Sequence, residues 1–251
     1  MKPQHLEILN ELILMEKRGT LKGCFDIPNE VYQSPKCPAI RSGAIKEVIS
    51  RSYSHYAAST SVKKTKALQF GSQFHQFMEG DPTGIGNEDL LSMTLMKQKI
   101  DRHPEVQKLL EGDSKTELTF FSIDQETGLT KRCRADKFNQ NSEKAWILDW
   151  KTTENAAPEP FARDCRKYMY RIAAAYYLEI ISEVLGFYVR DFYFCATEKE
   201  DPHECALYRA DDRSIAKGEE EVRKGLRIFQ NVYQNKSAWR GYETKISDLL
   251  I

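Results

Sequence analysis

Between Leu118 and Thr152 the hydrophobic period of the chain switches to that of strands, and this switch decides which folds are open to it. Leu118 to Ile123 alternates weakly, Asp124-Gln125-Glu126-Thr127-Gly128 reads as a turn, and residues 129–138 and 145–152 are two further strand-like runs. The polar stretch Asn139 to Lys144 separates those two, so the segment predicts a three-stranded meander. On either side the period is helical. Helices are expected over residues 42–52 and 64–79, the second carrying Leu68, Phe70, Phe74, Phe77 and Met78 and stopped by Gly80-Asp81-Pro82-Thr83-Gly84. Residues 88–111 predict a helical stretch broken near Pro104. After Pro158 and Pro160 one long helix is expected over 161–185, with Met169, Ile172, Ala173, Tyr176, Ile180 and Val184 on its apolar stripe. Phe187 to Ala196 predicts a strand, Cys205 to Arg209 its hairpin partner, and 212–234 a last helix. That order describes an α/β fold, a mixed central sheet flanked by helices, in a single domain over 1–251. Within it, residues 1–40, turn-rich with Pro28, Pro35 and Pro38, are read as an N-terminal wrap, 41–235 as the core and 236–251 as a C-terminal tail.

Charge and composition narrow the function. The 37 Lys and Arg balance the 37 Asp and Glu. A neutral total argues against a chain that coats nucleic acid non-specifically, because that affinity rests on many phosphate contacts. It leaves room for positive charge concentrated in one channel. No apolar run approaches the roughly 20 residues that cross a bilayer, and the N-terminus alternates charged and apolar residues, unlike a signal peptide. A cytoplasmic location without membrane association is expected. The six cysteines show no CxxC pairing and are read as free thiols.

Chemistry concentrates at the end of the meander, in Ile147-Leu148-Asp149-Trp150-Lys151. Side chains alternate faces along a strand, so Asp149 and Lys151 share one side with Cα atoms about 7 Å apart, while Trp146, Leu148 and Trp150 point into a core. Asp136 lies near the end of the preceding strand, and Glu117 opens the first. Three carboxylates converging on one sheet edge repel one another unless a cation sits between them, and hard oxygen ligands select Mg²⁺ or Mn²⁺. Such an ion can orient a phosphodiester and acidify water, and a nearby lysine can steer that water or neutralise charge at phosphorus. An Asp–Lys pair two residues apart is common on sheet surfaces, so it signals little alone. His75 adds weight as a further candidate ligand on a helix, one turn after Gly71, whose missing side chain lets another group approach.

The ordered set Gly71-x-x-x-His75, Lys131-Arg132-Cys133-Arg134-Ala135-Asp136, Ile147-Leu148-Asp149-Trp150-Lys151-Thr152-Thr153 and Tyr170-x-x-Ala-Ala-Ala-Tyr176-Tyr177 resembles the PD-(D/E)xK nuclease superfamily. Within it the chain is most similar to the RecE-type (exonuclease VIII-like) recombination exonucleases of phages and prophages, over residues 28–235. The resemblance implies a restriction-endonuclease-like core and a Mg²⁺-dependent exonuclease acting on double-stranded DNA, with Mn²⁺ able to substitute. It implies digestion from 5′ to 3′, leaving a 3′ strand for a single-strand annealing protein. A ring-shaped homo-oligomer, trimer or tetramer, in a bacterial or phage-infected cell is also implied. Asp136 and Asp149 would bind metal together with the Trp150 carbonyl and His75, Glu117 would contribute more weakly, and Lys151 would be the catalytic lysine. Two positions depart from the pattern: Ala135 precedes the first carboxylate where proline is usual, and Ile172 stands where the family carries Gln.

A basic stripe of Arg163, Lys167 and Arg171, flanked by Arg166 and interleaved with Tyr168 and Tyr170, follows the Asp-x-Lys strand and offers a path for DNA phosphates. Tyr170 and Tyr176 belong to the same DNA-facing set. Arg41, next to Ser42 at a helix start, is a weaker candidate for a terminal phosphate. Lys63-Lys64-Thr65-Lys66 reads as a solvated helix end. Two other functions fit the same residues, a superfamily endonuclease and a catalytically impaired DNA-binding module. An iron–sulfur nuclease does not fit, because Cys165, Cys195 and Cys205 are too dispersed.

Overall fold

The computed structural model describes residues 1–59, 65–112, 114–140, 145–235, 238 and 240–242. Lys63, Lys64, residues 141–144 of the expected polar turn and most of the 236–251 tail lie outside them. The described elements run α1 (Pro3–Lys17), β1 (Gly23–Phe25), α2 (Asn29–Tyr32), β2 (Ile40–Arg41), α3 (Ser42–Ser50), α4 (Tyr53–Ala58) and α5 (Lys66–Met78). There follow α6 (Asn87–Arg102), α7 (Pro104–Leu110), β3 (Ser114–Ile123), β4 (Thr130–Asn139), β5 (Trp146–Thr153), α8 (Pro158–Lys167), α9 (Tyr170–Leu185), β6 (Asp191–Glu198), β7 (Cys205–Arg209) and α10 (Asp212–Gln234).

The strands make one seven-stranded mixed sheet in the order β1-β3-β4-β5-β6-β7, with β2 pairing parallel to β4. The meander β3–β4–β5 is antiparallel, and β6 returns parallel to β5 because α8 and α9 carry the chain across the sheet. One face is covered by α3, α9 and α10, whose Ile45, Ile172, Ile180 and Leu226 pack with Phe120, Ile147 and Phe192 of the strands. The other is covered by α5, α6 and α7, where Phe74, Met93 and Met96 meet Trp146, Leu148 and Trp150. The alternation along β5 thus sends its tryptophans to the α5 side.

Two glycines let α10 lie close. A Cβ on Gly218 would run into the Arg171 carbonyl, and one on Gly225 would stand 2.8 Å from Ile45 Cγ2. At the far end of the sheet, Lys131 is fully buried and is held by Glu179 and Glu183 of α9 and by Asp124, while Arg223 of α10 grips Asp124 and Glu179. These contacts tie the β3–β4 turn to both helices.

Two expectations need correction. Residues 1–40 are more than a turn-rich wrap: Pro3 occupies the first helical turn of α1, and Leu9 and Leu12 pack with Leu21, Val31 and Phe121. The single helix over 161–185 is two. Met169 adopts a left-handed backbone (φ +51°), ending α8 and restarting the chain as α9 at a new phase.

Candidate active site at a break in the sheet

The β4–β5 ladder stops at Lys137 opposite Leu148. Extending its register by one pair would set Asp136 opposite Asp149, and the β3–β4 register brackets Glu117 opposite Asp136. Three carboxylates therefore stand at neighbouring places on three adjacent strands, where the sheet opens. Ala135 and Phe138, three residues apart, both reach the core beneath α9, so β4 changes phase between them. Across from this point Glu117 takes φ +55°, a left-handed conformation uncommon for a side-chain-bearing residue and concentrated at functional sites. With backbone pairing interrupted, the Trp150 N–H donates to Asp136 Oδ2 at 2.8 Å.

The opening leads into a cavity of about 910 Å³ lined by His75, Glu117, Asp136, Asp149 and Lys151 among others. His75 is carried by α5, which Phe74 anchors to β5, and Gly71 brings that helix near Thr152, 3.4 Å from where a Cβ would lie. Its Nδ1 is 3.2 Å from Asp136 Oδ2. Ligand atoms of His75, Glu117 and Asp136 lie within 4.8 Å of one another. Asp149 stands outside that group and pairs with Lys151. The Lys151 ammonium also donates to the Trp150 carbonyl at 3.4 Å.

The electrostatics separate these carboxyls. Burial would raise Asp136, but His75, Lys151 and the Trp150 N–H outweigh it and hold the carboxyl down at about 2. Burial raises Asp149, with Asp136 adding to the shift against the pull of Lys151. Burial and then Asp136 push Glu117 up to about 8, although Arg134 Nε donates to it at 2.6 Å. For His75, burial lowers the imidazole and Asp136 more than restores it, so its proton is held above the ordinary value.

Some residues expected at the site stand elsewhere. Tyr176 is fully buried and donates its hydroxyl to the Ile40 carbonyl at 2.7 Å, so it is a core residue with no access to DNA. The next tyrosine, Tyr177, lines the cavity with Tyr170, two helical turns before it. Ile172 is also fully buried. Arg171 does not extend the stripe of Arg163 and Lys167, because the Met169 break rotates it into a two-bond pair with Glu221 at 2.8 and 2.6 Å. Arg163 and Arg166 are exposed on α8 outside the cavity, which Lys167 and Tyr170 line. Arg41 donates to Gln33 at 3.2 Å and is not among the lining residues.

Sequence reasoning missed Glu79 and Lys46 and named Tyr168 only as interleaved with the basic stripe. Glu79 sits four residues after His75 and lines the same cavity, a placement the i, i+4 spacing could have revealed. Lys46 reaches in from α3, with its ammonium 5.3 Å from the Tyr170 ring centroid and no ion pair among the described residues. Burial, then Lys151, lowers Lys46 to about 8. Tyr168, half-exposed, closes the α8 end of the cavity.

No curated protein matches the sequence. The structure is similar to that of a putative exonuclease from Eubacterium rectale at TM-score 0.69 and 15% identity, covering 90% of this chain and 96% of the other. A second solved structure, SSO0001, aligns at TM-score 0.40 and 13% identity over 86% of each chain, too distant to carry an argument. The first likeness bears on the fold, which is the restriction-endonuclease-like one. A family model described as a PDDEXK-like domain of unknown function (DUF3799) matches residues 82–242, a span that takes in Glu117, Asp136, Asp149 and Lys151 and begins after His75. Since that match covers more than half of the 251 residues, the chain belongs to this PDDEXK-like family and, with it, to the PD-(D/E)xK nuclease superfamily.

Proposed function

We propose that this protein is a divalent-metal-dependent nuclease that hydrolyses DNA phosphodiester bonds, working inward from duplex ends. The observation that carries the reading is the row Glu117, Asp136 and Asp149 at the sheet break, on one cavity with His75 and Lys151. The donor set fits a hard divalent cation: carboxylate oxygens and one imidazole, crowded enough that mutual repulsion helps lift Glu117 to about 8. Asp136, His75 and Asp149 would hold the ion with the Trp150 carbonyl, and Glu117, already within 4.8 Å of His75 and Asp136, would join them. When bound, Mg²⁺ or Mn²⁺ supplies charge at the phosphate and lowers the pKa of water.

The chain's own residues do the remaining work. Asp136 is kept ionised by the Trp150 N–H and His75, so it can accept a cation without first losing a proton. The Lys151 ammonium, tethered to Asp149, is placed to offset charge gathering on the phosphate oxygens. Lys46 brings a second ammonium to the same cavity from α3. Lacking a carboxylate partner among the described residues, it is available to a substrate phosphate. Lys167 adds a further cation at the cavity edge.

Exonuclease action, rather than internal cleavage, follows the resemblance to RecE-type enzymes and the description of the Eubacterium rectale protein. We extend it to 5′-to-3′ digestion that leaves a 3′ strand for an annealing protein, by a ring-shaped trimer or tetramer in the cytoplasm. End-labelled linear and closed circular duplexes incubated with Mg²⁺ test this. Shortening of the linear substrate from its 5′ ends with the circle intact supports it, and cleavage of the circle replaces it with the endonuclease reading.

A further inference from the structure

We propose that Tyr168 is a base-stacking residue, receiving the terminal base of the DNA while the adjoining phosphate lies toward Lys46 and Lys151. The inference deepens the nuclease reading and rests on it.

Three aromatic rings run from the core to the cavity rim. Phe194 stacks on Tyr170 with centroids 5.6 Å apart and planes 28° from parallel, and Tyr170 stacks on Tyr168 at 5.8 Å and 26°. Phe194 is buried, whereas Tyr168 is 47% exposed, so the series of rings ends on a partly exposed ring at the cavity wall, with the Lys167 ammonium over it. The backbone is bent to put it there. Met169, left-handed at φ +51°, separates α8 from α9 directly after Tyr168, and such a conformation costs a side-chain-bearing residue energy.

Cations surround this stack. The ammoniums of Lys46 and Lys151 lie 5.3 and 5.2 Å from the Tyr170 centroid, and that of Lys167 lies 5.0 Å from the Tyr168 centroid. A ring that continues an aromatic stack next to ammoniums matches a nucleotide in both halves, with a π-face for the base and positive charge for its phosphate. A base inside a duplex has both faces covered by its stacking neighbours, so the fitting ligand is a terminal nucleotide, whose outer face is free. Stacking does not discriminate strongly among bases, so digestion should tolerate sequence.

The test uses linear duplexes carrying 5-iodouracil at the terminal nucleotide of one end or the other, bound in Ca²⁺ and irradiated, with the cross-linked peptide mapped by mass spectrometry. Steady-state digestion in Mg²⁺ accompanies it. The cross-link is expected at Tyr168, retained in Tyr168→Trp and lost in Tyr168→Leu. Tyr168→Leu should raise KM about 5- to 150-fold, the effect of one lost stack, and change kcat less. A folded Tyr168→Leu with unchanged KM, or a cross-link mapping elsewhere in active wild type, overturns the stacking role alone. Wild type that neither binds nor digests the duplex overturns the nuclease reading and this inference with it.

Discussion

Asp149 and Lys151, an ordinary pair by themselves, could be read from sequence only together with His75 and Asp136 in the ordered set of motifs. Lys46 shows what that reading leaves out. Nothing on its own helix marks it, since its place beside Lys151 is created by α3 docking onto α9. Tyr176 shows the opposite failure, a motif residue whose hydroxyl is spent on the Ile40 carbonyl. Lys46 also gives a prediction at this scale. As a phosphate contact, its loss in Lys46→Ala should lower the slope of log affinity against log salt by about 0.9 on duplex DNA, and Lys46→Arg should restore it. Binding titrations in Ca²⁺ at several salt concentrations measure that slope, and an unchanged one would remove Lys46 from the DNA path.

The elements were legible wherever one period dominated. The meander, the α6–α7 break at Pro104 and α10 all stand where periodicity and turn residues place them. The α8–α9 break was invisible because Met169 adopts a left-handed backbone without the glycine or asparagine that usually announces one. That single residue undoes the predicted Arg163–Lys167–Arg171 stripe. α1 was hidden for another reason: the prolines at 28, 35 and 38 dominated the reading of a segment whose first third is helical. At this scale α5 is the element on which the site depends, since Phe74 holds it against β5 while the adjacent His75 faces Asp136. Replacing the fully buried Phe74 by alanine should cost about 3–5 kcal/mol. Thermal or urea unfolding measures it, and the surviving folded fraction should lose activity disproportionately as His75 is displaced.

Over the whole molecule, two charged centres do different work. The sheet break gathers Glu117, Asp136 and Asp149 on one cavity with His75 and Lys151. The far end buries Lys131 and Asp124 in a network that α10 completes through Arg223. There burial would raise Asp124, but Thr127 and Arg223 hold its carboxyl below the ordinary value. A depressed carboxyl stabilises the fold above its unfolded value of about 3.9, and that contribution is lost as pH falls through the folded value. Melting temperatures of wild type and Asp124→Asn should therefore differ most near neutrality and converge below about pH 4. A gap that widened on acidification would contradict the assignment.

The central claim, that the sheet break is a metal-dependent hydrolytic centre, is tested most directly by digestion of an end-labelled linear duplex. Wild type and Asp149→Ala, both shown to be folded, would be compared with Mg²⁺ and with chelator. The account predicts Mg²⁺-dependent shortening by wild type, abolished by chelation and slowed about 10²–10⁴-fold in Asp149→Ala. Equal digestion by the two proteins, or digestion that survives chelation, would contradict it.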